Sequence, residues 1–486
     1  SREEFPSDAL TDMEAGSTSG AGYTNGAGSS EYKMLSYFAR VNYTLMDRYL
    51  FEVNMRADAS SRFHKDHRWG YFPSFSAGWR MSEESFMKDI EWINNLKIRA
   101  SYGTLGNINN VGNYDYFQNY SSGNHYNFSD SPVIGIGESK PANETLGWEK
   151  VALTDIGLDF DIFNGLLGVT ADYYIKNTSD ILLGYNVPTE TGITAAPSQN
   201  IGKVKNTGFE LALNHRNKIG AVNYSIGANI ATNKNKITNL GGSDNIIQTS
   251  SYIVKYILKK GESIGSFYGF KTDGLYTQAD IDAGHYYTLS GVVPNAGDIK
   301  FVPQRDIEYK QEITDEDRTI LGKDVPDFTY GVNLSLQYKG FEFSMFGQGI
   351  SGTKVAFDVY GVHPFYHGQD SPRKYHLTEE NPNPHAAYPR IYSASSVHTT
   401  YNRNFSDYHL FDSDYFRFKT LSLGYTVPSA TVKNWGLQSL KVYVTGENLF
   451  TVRADKKMED FDPETAGGVI YTLGTKSVAF GVNISF

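Results

Sequence analysis

Two pairs of aspartates are spaced so that they could carry out acid–base chemistry. Asp159 and Asp161 stand two residues apart, and so do Asp412 and Asp414. Residues two apart on a β-strand share a face at about 6.5 Å, and paired carboxylates are the general acid and base of many glycosidases. The same spacing is typical of charges on the polar face of a strand. We favour that interpretation, so no catalytic residue is predicted and the protein is not expected to be an enzyme.

A further group of carboxylates lies in the segment 304–322. Calcium is held by several carboxylate or carbonyl oxygens that close on one ion, with a glycine at the sharp turn of the loop. Asp306, Asp315 and Asp317 are the candidate metal ligands, but no glycine lies between them. The segment is therefore interpreted as a solvated acidic loop. Bound calcium is the alternative, and no cofactor is predicted.

Two segments, 113–130 and 359–376, combine aromatic rings with amide and imidazole groups. Sugar rings stack on aromatic faces while amides and carboxylates bind their hydroxyls, and peptides use similar surfaces. Long aromatic loops also pack against one another or against a protein partner, so the sequence allows both interpretations. The candidate residues for contact with a substrate or a covering partner are Tyr114, Tyr116, Phe117, Tyr120, His125, Tyr126, Tyr360, His363, Phe365, Tyr366 and His367.

The composition excludes several classes of protein and of functional site. The chain has 486 residues with 47 Gly, 35 Tyr, 29 Phe, no Cys and a formal charge of -10. Nucleic acid is not an expected partner, because that affinity comes largely from Lys and Arg neutralising phosphates. The lack of cysteine excludes disulfides, thiolate metal sites and a Cys nucleophile. No run of 18 apolar residues predicts a transmembrane helix, whereas a membrane barrel places its apolar residues at alternate positions of short strands.

Strict alternation of apolar and polar residues recurs along the chain and predicts strands with two different faces. It is clearest in 328–338, 222–231 and the C-terminal segment. About thirteen strands are predicted, near 32–44, 49–57, 72–80, 96–105, 150–163, 166–176, 203–214, 222–231, 328–338, 341–350, 414–426, 438–450 and 477–486. The last of these is expected to turn one set of side chains toward lipid, namely Val478, Phe480, Val482, Ile484 and Phe486.

The predicted connections alternate between short and long. Short ones fall at 46–48, 164–165, 216–220 and 339–340, with slightly longer ones at 81–94 and 427–437. Long ones fall at 58–71, 106–147, 180–200, 239–326, 353–411 and 453–473. All turns then lie at one end of a sheet and all loops at the other, which is typical of an outer-membrane barrel. The segment 239–326 exceeds any plain loop of a compact fold, so it is expected to form a small folded excursion outside the cell.

A soluble sandwich or propeller also alternates apolar and polar positions. Two features favour the barrel: the apolar faces carry Tyr and Phe near strand ends, and the opposite faces carry charges such as Asp155. An odd number of antiparallel strands leaves the first and last strands parallel, and these could not pair to close the barrel. We therefore expect further strands upstream, with this chain as the C-terminal part of a larger barrel.

Several segments resemble the barrel of the SusC/RagA-like TonB-linked outer-membrane proteins of Bacteroidetes. They include YFPSFSAGWRMSEESFMKDIEWINNLKIRASYGTLGN (71–107) and NETLGWEKVALTDIGLDFDIFNGLLGVTADYYIKNTSDILL (143–183). Others are GESIGSFYGFKTDGLYT (261–277), PDFTYGVNLSLQYKGFEFSMFGQGISG (326–352) and LKVYVTGENLFT (440–451). The matches cover nearly the whole chain and keep their order. Many members of this family carry a D-x-N-x-D-G loop of calcium-binding type where this chain has the acidic segment.

The resemblance implies an all-β transmembrane antiparallel β-barrel of 22 strands, of which this chain would supply about thirteen, residues 1–486 forming its C-terminal portion. It further implies an N-terminal plug, energy supplied through the TonB complex, and a SusD-like surface lipoprotein that acts as a lid. No segment here matches the plug or the TonB box. The expected function is active import of oligosaccharides or oligopeptides across the outer membrane of a Gram-negative bacterium. The alternative is a secreted or surface β-rich glycan-binding protein without a transport role.

Overall fold

The computed structural model describes residues 29–128, 131–184, 198–249, 253–356, 376–377, 383, 386, 388–456, 461–464 and 474–486. In these residues the first ten strands are β1 (Met34–Leu45), β2 (Tyr49–Ser60), β3 (Trp69–Arg80), β4 (Ile93–Asn107), β5 (Asn119–Phe128), β6 (Ser131–Lys140), β7 (Glu149–Ile162), β8 (Leu167–Gly184), β9 (Ser198–Ile219) and β10 (Val222–Thr232). The next nine are β11 (Lys234–Leu240), β12 (Asn245–Thr249), β13 (Lys255–Lys259), β14 (Ser266–Gly269), β15 (Lys271–Leu275), β16 (Thr288–Leu289), β17 (Ile299–Val302), β18 (Glu312–Ile313) and β19 (Thr319–Lys323). The remaining strands are β20 (Phe328–Tyr338), β21 (Phe341–Ser351), β22 (Lys354–Ala356), β23 (Leu410–Asp412), β24 (Tyr415–Thr426), β25 (Ser439–Arg453) and β26 (Ser477–Ser485).

Helices are few and short. The α-helices are α1 (Gln278–Asp282), α2 (Val397–Asn402) and α3 (Ser429–Lys433), and single 3₁₀ turns include Met81–Glu83, Asp315–Asp317 and Asp407–His409. None of the helices in the described part of the chain is long and apolar enough to cross a membrane.

One large antiparallel sheet, called the wall below, organises the molecule. Its strands follow the order β1-β2-β3-β4-β7-β8-β9-β10-β20-β21-β24-β25-β26, and β11 adds a fourteenth strand beside β9. The thirteen strands of the main path correspond to the thirteen predicted from alternation, which confirms the predicted antiparallel all-β fold. The sequence did not predict β11, which begins between the predicted strand 222–231 and the connection predicted at 239–326. Nor did it predict the hairpin of β5 and β6, which lies in the connection predicted at 106–147.

The wall has two chemically different faces. In β2, Phe51, Val53 and Met55 are exposed on one side, while Glu52 and Asn54 stand on the other. Successive side chains of a strand point to opposite faces, so the period of two in the sequence becomes a difference between the two surfaces. Large exposed apolar patches mark contact with a membrane or with another protein. The side of the wall that carries Phe51 is called the outer face below, and the side that carries Glu52 the inner face.

Tight turns join the strands at one end of the wall. Met46 and Asp47 have φ of 54° and 57°, and Lys339 and Gly340 have φ of 48° and 90°. Two consecutive left-handed residues form the type I′ hairpin turn, whose twist matches that of the strands. The turn predicted at 216–220 is shorter in the structure, because β9 and β10 remain paired as far as Ile219 and Val222.

Residues 245–323, called the excursion below, form a small folded unit between β10 and β20. Its sheet has the order β12-β13-β14-β19, and its core includes Phe270, Ile299 and Phe301, all about 1% exposed or less. Tyr401 of α2 belongs to the same buried cluster. The segment around α2 is therefore packed into the excursion, although it lies far along the chain.

Hydrogen bonds at Asp298 join the excursion to α2. This fully buried carboxylate accepts the Nδ2–H of Asn402 at 2.8 Å and the backbone N–H of Asn295 at 2.7 Å. His398 Nδ1 lies 2.7 Å from its Oδ2. A buried carboxylate is stable only with such a set of partners, so these contacts fix the position of α2 on the excursion.

A buried carboxylate organises the acidic segment 304–322. Asp317 is fully buried and accepts backbone N–H groups of Gln304, Arg305 and Thr314 at 3.0–3.1 Å, together with the Arg305 guanidinium at 2.6 Å. Asp315 pairs with Arg318, and Asp306 is exposed. Across the described ranges no three acidic or histidine side chains are grouped to hold a metal. The carboxylate of Asp317 holds its own loop together.

Because the outer face is apolar, we expect Phe480→Arg to impair assembly. Phe480 lies near the middle of β26 and is 84% exposed. A charge at the lipid-facing middle of a barrel costs about 2–4 kcal/mol. Ala479→Arg, at the neighbouring depth on the inner face, is the matched control and should be tolerated. Heat-modifiable gel migration of the membrane-inserted protein measures assembly, and equal yields of the two variants would contradict the assignment of the faces.

The environment of Asp317 predicts acid sensitivity of the excursion. Burial alone would raise the pKa of this carboxyl, but Arg305 and the backbone donors outweigh burial and lower it from 3.8 to about 2. A folded pKa below the unfolded value means that the stabilisation is present above about pH 4 and is lost as the pH falls toward 2. The protection factors of the amides of residues 299–323, which compare observed with intrinsic exchange rates, should fall over that range.

Asp317→Asn should remove this pH dependence and accelerate exchange of the same amides at neutral pH. We expect a loss of about 1–3 kcal/mol of local stability, since buried donors lose a charged acceptor. Asp306→Asn, which changes an exposed acid of the same segment, should behave as wild type. Identical exchange in Asp317→Asn and wild type would show that this carboxylate does not stabilise the loop.

Candidate functional site

The inner face of the wall carries charged side chains that are paired with one another. Arg99 of β4 lies 2.6 Å from Asp172 of β8 and 3.3–3.4 Å from Asp155 and Asp159 of β7. Asp161, the second member of the predicted pair, accepts a hydrogen bond from Asn95 at 3.1 Å. These aspartates therefore belong to a polar wall surface, as the sequence analysis favoured, and their oxygens are engaged by neighbouring strands.

The polar surface continues across β1, β2 and β3. Glu52 accepts hydrogen bonds from Arg40 at 2.8 Å and from Asn54 at 2.7 Å, and Asn54 also donates to Ser74 at 3.2 Å. A recess of about 870 Å³ opens on this side of the wall, and Tyr32 is among the residues at its margin. The inner face thus offers hydroxyl, amide and charged groups in a space large enough for a small oligomer.

A second charged cluster lies on β24, toward the other end of the strand order. The Arg417 side chain is 5% exposed and contacts Asp462 at 2.6 Å and Glu464 at 2.8 Å. Lys419 Nζ lies 2.7 Å from Glu464, and Tyr415 Oη donates to it at 3.1 Å. Burial would raise the pKa of both carboxyls, but these cations and donors lower it. The cluster fixes part of the connection between β25 and β26 against the inner face.

The predicted aromatic residues of the first loop separate into buried and exposed groups. Tyr116 packs against a buried cluster that includes Trp148, and its ring centroid is 4.2 Å from that of Phe117. Phe117, Tyr114 and Tyr120 are 50%, 44% and 63% exposed. Tyr114 Oη also accepts the backbone N–H of Glu31 at 2.9 Å. Tyr116 therefore anchors the loop, while the other three offer open aromatic surface.

The other predicted contact residues are only partly placed. The backbone of His125 and Tyr126 lies in β5 and pairs with Ile134 and Val133 of β6. The rest lie outside the described residues, namely Tyr360, His363, Phe365, Tyr366 and His367.

The sequence did not predict the clusters of polar and charged side chains that hold the loops in place. Glu149 is buried and accepts hydrogen bonds from Asn107 at 2.7 Å and from the backbone of Leu182 at 3.1 Å. Arg417 and Glu464 stand 47 positions apart. No local pattern marks such pairs, because each member looks like an ordinary surface charge until strand pairing brings the two together.

Comparison with known proteins agrees with this architecture. The family described as "TonB dependent receptor-like, beta-barrel" matches residues 6–449. TonB-dependent receptor P3 of Formosa agariphila is 32% identical over 437 residues, which are 87% of this chain and 41% of that protein. TonB-dependent receptor SusC of Bacteroides thetaiotaomicron is 29% identical over 464 residues, 93% of this chain and 43% of that protein.

The fold also matches a solved structure, "Structure of the RagAB peptide transporter", with a TM-score of 0.73 and 24% identity over 99% of this chain and 50% of that one. The chain thus spans about half the length, or less, of the relatives it matches. The family match covers most of the chain, and the strand order and the two-faced wall agree with it. The chain therefore belongs to the TonB-dependent receptor β-barrel family, and SusC is among its relatives.

Proposed function

We propose that this chain forms the barrel wall of a TonB-dependent importer in the outer membrane of a Gram-negative bacterium. The cargo would be oligomeric nutrients, either glycans or oligopeptides. The observation that carries the proposal is the wall itself, with apolar side chains such as Phe480 on its outer face and a charged inner face around Arg99. An outer apolar band and a wet interior are what a membrane barrel requires.

The inner face supports a role as a polar conduit. Its charges are matched in pairs, as at Arg99 with Asp172 and at Arg417 with Asp462. Paired charges keep the surface hydrated without leaving a strong single-sign field that would hold one charged solute. A neutral or mixed polar oligomer can therefore replace its hydrogen bonds to water by hydrogen bonds to the wall, with little net change in free energy. In this proposal the chain guides its cargo and catalyses no reaction.

The rest of the machinery is proposed from the relatives. The energy would come from the TonB complex acting through an N-terminal plug, and the remaining strands of the same transporter would complete the wall. A SusD-like surface lipoprotein would cover the end of the wall that carries the excursion and the long loops. The excursion would then lie outside the cell, with Tyr114, Phe117 and Tyr120 facing the lid or the substrate. The name of the RagAB structure, a peptide transporter, supports an oligomeric cargo.

Uptake by cells tests the proposal. Deletion of the gene should abolish growth on, or uptake of, the cognate oligomer, and a protonophore that collapses the energy supply to TonB should stop uptake in wild type. A secreted or surface glycan-binding protein is the alternative. It would purify without detergent, show no heat-modifiable migration, and bind its ligand without any dependence on the energised state.

Aromatic contacts at the first loop give a sharper prediction. Each stacked ring contributes about 0.5–1.5 kcal/mol, so Tyr114→Ala combined with Phe117→Ala should weaken substrate binding or lid capture several-fold. Tyr309→Ala removes a ring of similar exposure, 52%, from a different segment, the excursion, and is the control. The measurements are uptake rate and co-purification of the lipoprotein. If both were unchanged in the double variant, the exposed rings would serve neither partner.

A further inference from the structure

The connection between β2 and β3, residues 61–68, is called the basic loop below. It carries Lys65 and Arg68, and Lys33 lies beside it where β1 begins. Ser61 donates its backbone N–H to the carbonyl of Lys33 at 3.0 Å, and its hydroxyl accepts the N–H of Lys33 at 2.9 Å. Three cations are therefore gathered at one end of β1, β2 and β3, in a chain whose formal charge is -10.

These three cations have no carboxylate partner among the residues that the structure describes. No acidic oxygen of those residues lies within 4 Å of Lys33, Lys65 or Arg68, and the acid of the loop, Asp66, lies 3.3 Å from His64 instead. The arginines on the inner side of β1 and β2 are, by contrast, paired with carboxylates at 2.6–2.8 Å. The cations beside the basic loop are therefore available to an external anion.

The basic loop is fixed from below by an apolar anchor. Phe63 is fully buried, and its ring centroid lies 5.4 Å from that of Trp148. Trp148 Nε1 donates to the carbonyl of Arg68 at 2.9 Å, and the Arg68 Nε–H donates to the carbonyl of Phe63 at 3.2 Å. The loop thus presents its cations from a preformed position, which lowers the entropy lost when a ligand binds.

Three aromatic rings lie on the outer face next to the basic loop. They belong to Tyr37 of β1 and to Trp69 and Tyr71 of β3, which are 61%, 41% and 61% exposed. The Tyr37 ring stacks beside that of Trp69 at 6.0 Å, and Trp69 beside Tyr71 at 6.4 Å. Between them β2 contributes only Ala57 and Ala59, whose small side chains leave room for the rings to approach. These three rings are called the aromatic platform below.

The platform and the unpaired cations occupy neighbouring levels of the wall. Lys33 precedes Tyr37 by four residues, so the alternation of side chains directs it to the same outer face. Aromatic rings at strand ends lie at the level of lipid headgroups. A lysine just beyond them can lay its stem along apolar surface while its ammonium reaches the polar layer. The cations are therefore placed where lipid phosphates lie.

We propose that Lys33, the basic loop and the aromatic platform together bind the phosphate-bearing headgroup of an anionic lipid in the outer leaflet. This proposal rests on the function proposed above, because the platform meets lipid only when the wall is inserted in the membrane with its long loops outside. The lysines act as point charges that attract the phosphate. The platform contacts the apolar part of the same lipid molecule.

The combination of features favours a lipid over a free anion or a protein partner. A free anion needs the cations but gains nothing from three exposed rings. A protein partner would have to reach the outer face at the level where the wall meets the bilayer. An anionic lipid has both chemical parts in the order in which the surface presents them, with the phosphate toward the loop and the acyl chains toward the middle of the strands.

The test measures lipid retention by the full transporter, purified in detergent and stripped of native lipid. Two probes with the same acyl chains are titrated separately and counted by native mass spectrometry: dioleoyl phosphatidic acid, which carries the phosphate, and dioleoyl glycerol, which lacks it. The test variants are Lys33→Gln combined with Lys65→Gln, and Trp69→Leu. The control combines Lys259→Gln with Lys260→Gln, which removes two exposed lysines from the excursion. Heat-modifiable migration establishes that each variant assembles.

We expect wild type and the control to prefer phosphatidic acid over the neutral lipid, and the Lys33 and Lys65 double variant to lose about fivefold in that preference for each lysine removed. Trp69→Leu should weaken retention of both lipids and leave the preference unchanged. Wild type without a preference would overturn the site, and so would an equal loss in the control, which would show attraction to net charge alone. Retention by Trp69→Leu equal to that of wild type would overturn the role of the platform. Energised uptake by cells is measured separately, so a transporter that imports its cargo but shows no lipid preference would refute this site alone.

Discussion

The whole structure depends on the pairing of backbone N–H and C=O groups between antiparallel neighbours. Inside a bilayer no water can satisfy an unpaired peptide group, so a membrane-spanning sheet must satisfy them within itself. The wall does this between neighbours along its thirteen strands, while β1 and β26 are the two edge strands of the sheet. Pairing in turn fixes the alternation of faces, because a slip of one residue would move every apolar side chain of a strand to the inner side. The tight turns set the register of the strands. That register places Phe480 on the outer face and Arg99 on the inner face.

Polar links on the wall and within the loops hold the long connections in place. Arg417 and Lys419 fix Glu464, Glu149 fixes the backbone at Leu182, and Asp298 fixes α2 on the excursion. Each of these links is a charged or amide group that is largely withdrawn from water and has several partners. Such links have directional geometry that apolar contacts lack. They therefore place the loops at definite positions relative to the wall.

Strands and turns were predictable from the sequence because their signals are local. Alternation over ten residues identified β20 and β26, and Lys339-Gly340 identified a hairpin turn that the structure confirms. The excursion and the loop clusters were not predictable in detail, since their partners lie tens of residues apart and meet only after the sheet has formed. In the first aromatic loop, 113–130, residue type alone did not distinguish a buried ring from an exposed one. Tyr116 and Phe117 are neighbours of similar type, but the first packs on a buried cluster and the second is half exposed.

The sharing of a core between the excursion and α2 has a consequence for folding. Asp298 and Asn402 are separated by 104 residues, and β20 and β21 lie between them in the chain. Closing so long a loop costs entropy before the buried contacts compensate for it. The excursion therefore cannot complete its interior until α2 has arrived. Its apolar residues stay partly uncovered during that interval, which exposes this part of the chain to aggregation before α2 is in place.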